Sequence, residues 1–239
     1  MTYCVGLLLN EGMVCLSDTR TNAGLDNIST YRKMFVFENP GERVFIIMTA
    51  GSLSVTQTTI ARLHEAMDAP DATAETSVML APTMLAVAEL VGNTLAAVRA
   101  EIDEKLAQSQ GASASMIVAG QRRGGGMRMF LIYPQGNFIE ATDDTPFLQI
   151  GEHKYGKPIL DRVVQPGTSL ADAQKAVLLS MDSTLRSNLS VGMPLDLAVI
   201  RRDSFTVERR RIEAGDPQFR AMSDAWSNAL REGFSRIAL

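Results

Sequence analysis

The sequence predicts an α+β fold in which two β-sheets lie between two layers of helices. Two observations carry that expectation. Strand-like and helical stretches come in separate blocks along the 239 residues. The chain is also 46% hydrophobic and only 21% charged, which is enough apolar surface for a large core. No linker or shift in composition divides it, so residues 1–239 read as one domain.

Residues 5–9 and 13–16 are apolar runs flanking Asn10-Glu11-Gly12, whose turn chemistry predicts a β-hairpin with a three-residue loop between strands over 2–9 and 13–19. Strands over 33–38 and 43–49 follow. Apolar residues then recur at helical spacing over 52–68 and 81–108. Three more strands are expected at 114–121, 127–134 and 137–142, the first two joined by a turn at Arg122-Arg123-Gly124-Gly125-Gly126. The triple glycine has no helix start and no Gly-Lys-Ser/Thr, so it reads as a flexible turn and not as a phosphate loop. Helices over 154–163 and 169–186 lead to strands at 195–201 and 204–212. An amphipathic helix over 217–234 closes the chain and carries Trp226, the only tryptophan. Two readings of that helix stay open: it packs on its own domain, or it offers an aromatic contact to another subunit.

A formal net charge of −4 and a pI near 5.3 argue against a nucleic-acid surface, which would carry a basic stripe. The basic runs Arg122-Arg123 and Arg209-Arg210-Arg211 read as solvated turn or interface charge. Cys4 and Cys15 lie on the apolar hairpin as small hydrophobes, and no signal peptide is seen, so a reducing, cytoplasmic setting is expected. His64 and His153 have no second histidine or cysteine cluster nearby, so no metal and no cofactor is expected. No run approaches the roughly 18 to 20 apolar residues of a membrane span.

The candidate chemistry starts at Thr2. Removal of Met1 would leave a free α-amine on the residue that bears the hydroxyl, so nucleophile and base would share one residue. An α-amine has a reference pKa of about 7.7–8.0, and much of it can be neutral near pH 7. Folding the first hairpin brings Thr2 beside Asp18, a carboxylate that can hold the Lys33 ammonium near the hydroxyl and favour its ionised form. Taken singly, Asp18 also fits an ordinary strand-end charge and Lys33 a solvated lysine.

Thr2, the run Asp18-Thr19-Arg20-Thr21-Asn22-Ala23-Gly24, Lys33 and Met48-Thr49-Ala50-Gly51 together resemble a proteasome β-type subunit, one of the N-terminal nucleophile hydrolases. The stretch Ile150-Gly151-Glu152-His153-Lys154-Tyr155-Gly156-Lys157-Pro158-Ile159-Leu160 is more similar to the bacterial Anbu branch, the ancestral β-subunit, than to HslV. That resemblance implies the four-layer αββα sandwich of these hydrolases. It implies Thr2 as nucleophile, its α-amine as base, Lys33 as the cation that lowers the hydroxyl pKa, and Asp18 as the group that orients Lys33. It further implies Ser190 as a catalytic partner and backbone amides around Ala50 and Gly51 as oxyanion donors. Asn22 would pair with an extended substrate, and Arg20 would brace this corner.

Two places depart from the family pattern. Gly151-Glu152-His153 stands where the family has Gly-Ser-Gly, leaving Glu152 in a supporting position, and Ser187 stands where an aspartate precedes the serine at 190. The resemblance implies homo-oligomeric rings or open spirals and peptides or unfolded proteins as substrates, while charge and the lack of a long apolar run predict neither nucleic-acid nor membrane partners. An ATPase partner is not readable from these residues. The expected activity is threonine-type amide hydrolysis. The other reading is an assembly protein on the same fold, whose chemistry has lapsed or serves a specialised non-protein amide.

Overall fold

The computed structural model describes residues 2–22, 28–105 and 112–238. Along the chain, β1 (Tyr3–Leu9), β2 (Gly12–Asp18), β3 (Arg20–Asn22), β4 (Ile28–Thr30), β5 (Met34–Asn39) and β6 (Arg43–Gly51) precede α1 (Leu53–Asp68) and α2 (Met84–Lys105). Then come β7 (Ala114–Arg122), β8 (Arg128–Ile132), β9 (Phe138–Glu140) and β10 (Phe147–Gly151). The chain continues through α3 (Lys157–Val163), α4 (Leu170–Ser187), β11 (Leu195–Arg201), β12 (Glu208–Ile212) and α5 (Pro217–Ser235).

Two five-stranded antiparallel sheets form, in the orders β10-β1-β2-β11-β12 and β5-β6-β7-β8-β9. The period of two along each strand decides which core a side chain enters. In β1 and β2, Val5, Leu7, Val14 and Leu16 pack against Leu160 of α3 and Ala173, Val177 and Met181 of α4. Their alternates Cys4, Met13 and Cys15 turn inward to meet Ile46, Met48, Ile117 and Met129 of the other sheet. Phe45 and Ile47 point the opposite way, onto Leu63, Val91 and Leu95 of α1 and α2. The result is the expected αββα sandwich. Among the described residues, no helix is long and apolar enough to cross a membrane.

The structure corrects several boundaries. Leu9 pairs directly with Gly12, so the first hairpin turns through two residues, Asn10 and Glu11, and Gly12 belongs to the strand. A Cβ on Gly12 would strike the Ile200 carbonyl of β11, and that close approach fixes the register. Strand 137–142 shrinks to β9, and β10, unforeseen as a strand, pairs along β1 from Tyr3↔Gly151 to Leu7↔Phe147. The expected strand at 204–212 begins only at Glu208, because Asp203 and Phe205 adopt left-handed backbone angles (φ 61° and 52°) that turn the chain. The helix expected from 81 starts at Met84, where Thr83 Oγ1 accepts from the Ala86 N–H. Its expected end at 106–108 lies outside the described residues. The helix expected from 154 begins at Lys157 with Pro158 in its first turn.

Candidate active site

The start of β1, the end of β2 and the start of β11 meet at one end of the sandwich. Asp18 lies opposite Leu195 in the β2–β11 ladder, while Cys4 lies opposite Ser17. The other sheet reaches the same end: Lys33 O accepts from the Thr49 N–H at 2.9 Å, and the Cys4 thiol donates to Thr49 O at 3.7 Å. Thr2, Asp18, Lys33 and the Ala50–Gly51 end of β6 are thereby gathered in one corner.

Asp18 is its centre and is completely buried. Its Oδ1 accepts from Lys33 Nζ at 2.7 Å and from the Tyr3 N–H at 3.1 Å. Its Oδ2 accepts from the N–H groups of Arg20 and Gly192, both at 3.2 Å. Burial pushes the Asp18 carboxyl above its ordinary range, while the Lys33 charge, the Lys33 hydrogen bond and the backbone N–H groups pull it back. Four donors and no acceptor around one carboxyl are the surroundings of an anion.

Lys33, 4% exposed, also donates to the Arg20 carbonyl at 2.5 Å. One carboxylate oxygen therefore holds both the lysine ammonium and the N–H of the peptide that joins Thr2 to Tyr3. Thr2 itself is buried, and its carbonyl accepts from the Glu152 N–H at 2.7 Å. Gly151 makes this contact possible: it has φ +82°, and a Cβ there would overlap the Thr2 carbonyl. The Thr2 hydroxyl makes no hydrogen bond among the described residues.

Arg20 braces the corner from outside, donating from Nη1 to Leu189 O at 2.9 Å. Its guanidinium lies flat over Gly192, where any Cβ would overlap it. Ser190 enters through its loop: its N–H donates to Asn188 Oδ1 at 2.9 Å, two residues before the Gly192 amide that binds Asp18. No described residue hydrogen-bonds the Ser190 hydroxyl. Ala50 is buried at the end of β6 and Gly51, at φ +108°, leaves the strand beside Ser113. Asn22 closes β3, and the sequence run beyond it, Ala23-Gly24, lies outside the described residues.

Sequence reasoning passed over three contributors: Gly192 as a donor to Asp18, Gly151 as the seat of the Thr2 carbonyl, and Tyr3 as a clamp. Tyr3 accepts from Gln149 Nε2 at 2.5 Å and shares a hydrogen bond with Ser180 Oγ at 2.6 Å, tying β1 to β10 and α4. The signal for Gly192 was its place two residues after Ser190, in the run Ser190-Val191-Gly192. Among the described residues, no group of three or more His, Cys, Asp or Glu side chains could hold a metal ion.

The model of the Proteasome subunit family matches residues 2–200. The chain belongs to that family. Within it the solved Anbu proteins, ancestral β-subunits, are similar to the chain over its entire length. An Anbu (Gly-1) mutant from Hyphomicrobium sp. strain MC1 is 49% identical at a TM-score of 0.93, with 100% of this chain and 99% of that one covered. Anbu from Yersinia bercovieri is 44% identical at 0.92, with 100% and 99% covered. The Anbu complex from Pseudomonas aeruginosa, solved as a helical assembly, is 46% identical at 0.94, with 100% and 98% covered. No match was found among curated proteins. The proteasome-family fold accounts for the corner just described, because it places the first residue of β1 against the end of β2.

Proposed function

We propose that this proteasome-family chain is an N-terminal threonine hydrolase that cleaves amide bonds in peptides or unfolded proteins once Met1 is removed. The observation that supports this reading most is the buried Asp18–Lys33 pair, 2.7 Å apart, hydrogen-bonded through the same carboxylate oxygen to the amide that follows Thr2. A buried ion pair is a poor source of stability, so its place beside a candidate nucleophile calls for a chemical role. In the proposed reaction the α-amine takes the Thr2 hydroxyl proton, and the oxygen attacks the carbonyl carbon. The C–N bond breaks as the proton passes to the leaving amine, and water then hydrolyses the ester. Lys33 lowers the hydroxyl pKa and Asp18 holds Lys33. Amides around Ala50 and Gly51 steady the oxyanion, where one donor is typically worth about 10²–10³ in rate.

Self-association into a ring or open spiral completes the reading, in line with the helical assembly of the P. aeruginosa relative. The test is cleavage of fluorogenic peptides by protein whose N-terminus is Thr2 by mass spectrometry. Thr2→Ala is expected to fall to background and Thr2→Ser to keep measurable turnover, whereas full turnover by Thr2→Ala overturns the proposal. A second reading, a scaffold or a hydrolase of specialised non-protein amides, draws on Glu152 and Ser187 standing where the family pattern has serine and aspartate. Correctly processed protein that cleaves no peptide favours it.

A further inference from the structure

A cleft of about 300 Å³ opens at the margin of the sandwich, where β5, an edge strand of one sheet, faces β12, an edge strand of the other. The Val207 N–H donates to Glu38 Oε1 at 3.2 Å and ties the two edges together beyond the cleft. Arg32 on its wall directly precedes Lys33. Asp196, also on its wall, lies opposite Ser17, and Arg211 lies opposite Asp196, which places Arg211 two strands or roughly 10 Å from β2.

The charges of this cleft are unbalanced. Asp196 pairs with Arg211 at 3.1 Å, and Glu213 engages Arg211 from outside at 3.3 Å. Arg210, which also lines the cleft, pairs with Asp216 at 2.9 Å. Arg32 and Arg209 are exposed and make no hydrogen bond or close ion pair among the described residues, although the Arg32 charge acts on Asp196 across the cleft. Met34, Phe35, Val36 and Leu197 add apolar lining between the arginines, and His64 of α1 lines it as well. Edge strands also keep one row of backbone groups without a strand partner.

Four arginines against the single carboxylate of Asp196, apolar side chains between them and a free strand edge suit an extended chain bearing carboxylates better than a small inorganic ion, which would leave the apolar lining uncovered. We propose that this cleft takes an acidic segment of the peptide substrate, with its carboxylates on Arg32 and Arg209. The proposal rests on the hydrolase reading and adds the substrate class, but binding can be measured apart from hydrolysis.

The experiment follows the fluorescence anisotropy of a labelled Glu-rich peptide, and of the same peptide with Gln for Glu, on full-length Thr2→Ala protein. The Glu peptide is expected to bind at least about tenfold more tightly, and more weakly as salt rises. Arg32→Gln with Arg209→Gln removes the preference, and Arg209→Glu turns it toward a Lys-rich peptide. Equal binding of Glu and Gln peptides, binding indifferent to both arginines, or displacement of the peptide by equimolar inorganic phosphate overturns the assignment. Charge-dependent binding together with no cleavage by the parent protein counts against hydrolysis and leaves the cleft assignment standing.

Discussion

Lys33 shows most clearly how individual side chains support one another here. Its ammonium sits 2.7 Å from an Asp18 carboxylate that is wholly shielded from water, so removing the cation strands a buried anion. Breaking such a pair from one side typically costs about 3–5 kcal/mol. Lys33→Met is therefore expected to lower the unfolding free energy by about that much in urea titrations. Adding Asp18→Leu restores only part of it, because the N–H groups of Tyr3, Arg20 and Gly192 then lose their acceptor. A Lys33→Met variant as stable as the parent would contradict the buried pair. The candidates Thr2, Asp18 and Lys33 were legible because each carries a side chain suited to a named step. Gly192 and the Glu152 amide were not, since a backbone N–H leaves no trace in the type of residue that bears it.

Secondary structure was legible wherever a segment had its own apolar rhythm. β1, β2, β6 and β7 are long apolar runs, and α4 and α5 carry clear amphipathic spacing. β10 has no such independence. Its five residues, Phe147 to Gly151, include a glutamine and a glycine, and only pairing with distant β1 makes them a strand. The three-residue strands β3 and β4 are likewise too short for any periodicity.

Tyr3 links these pieces, joining β1 to β10 through Gln149 and to α4 through Ser180, and burial raises its phenol from 10.0 to about 12. Above pH 10 the unfolded chain has lost the phenolic proton while the folded chain keeps it, so stability falls between pH 10 and about 12. The loss from this group is on the order of a few kcal/mol. Cys15, raised by burial from 9.0 to about 12, acts in the same direction from lower pH. Denaturant titrations across that range are expected to show a shallower fall for Tyr3→Phe than for the parent, and identical slopes would contradict this role.

The architecture explains why the candidate residues sit where they do. Two sheets whose strands end together leave one end of the sandwich open. The first residue of β1, the last of β2 and the approach to β5 arrive there from separate parts of the sequence. α5 extends this frame, held by Ser223 donating to Asp182 Oδ1 at 2.7 Å and Arg186 donating to Ser223 at 2.6 Å. Trp226, left with two readings by the sequence, is half-buried on α5 beside a groove shared with Ile159, Ala176 and Leu179. The exposed Leu230 and Phe234 lie farther along the same helix.

The proposed function rests on a free α-amine and a hydroxyl acting together on Thr2, and a peptide epoxyketone reports both because it bonds covalently to each. Intact-mass and peptide-level spectrometry of protein lacking Met1 is expected to place one adduct on Thr2, strongly reduced in Lys33→Ala and absent in Thr2→Ala. Labelling that survives Thr2→Ala, or no labelling of assembled protein shown to begin at Thr2, would contradict the account.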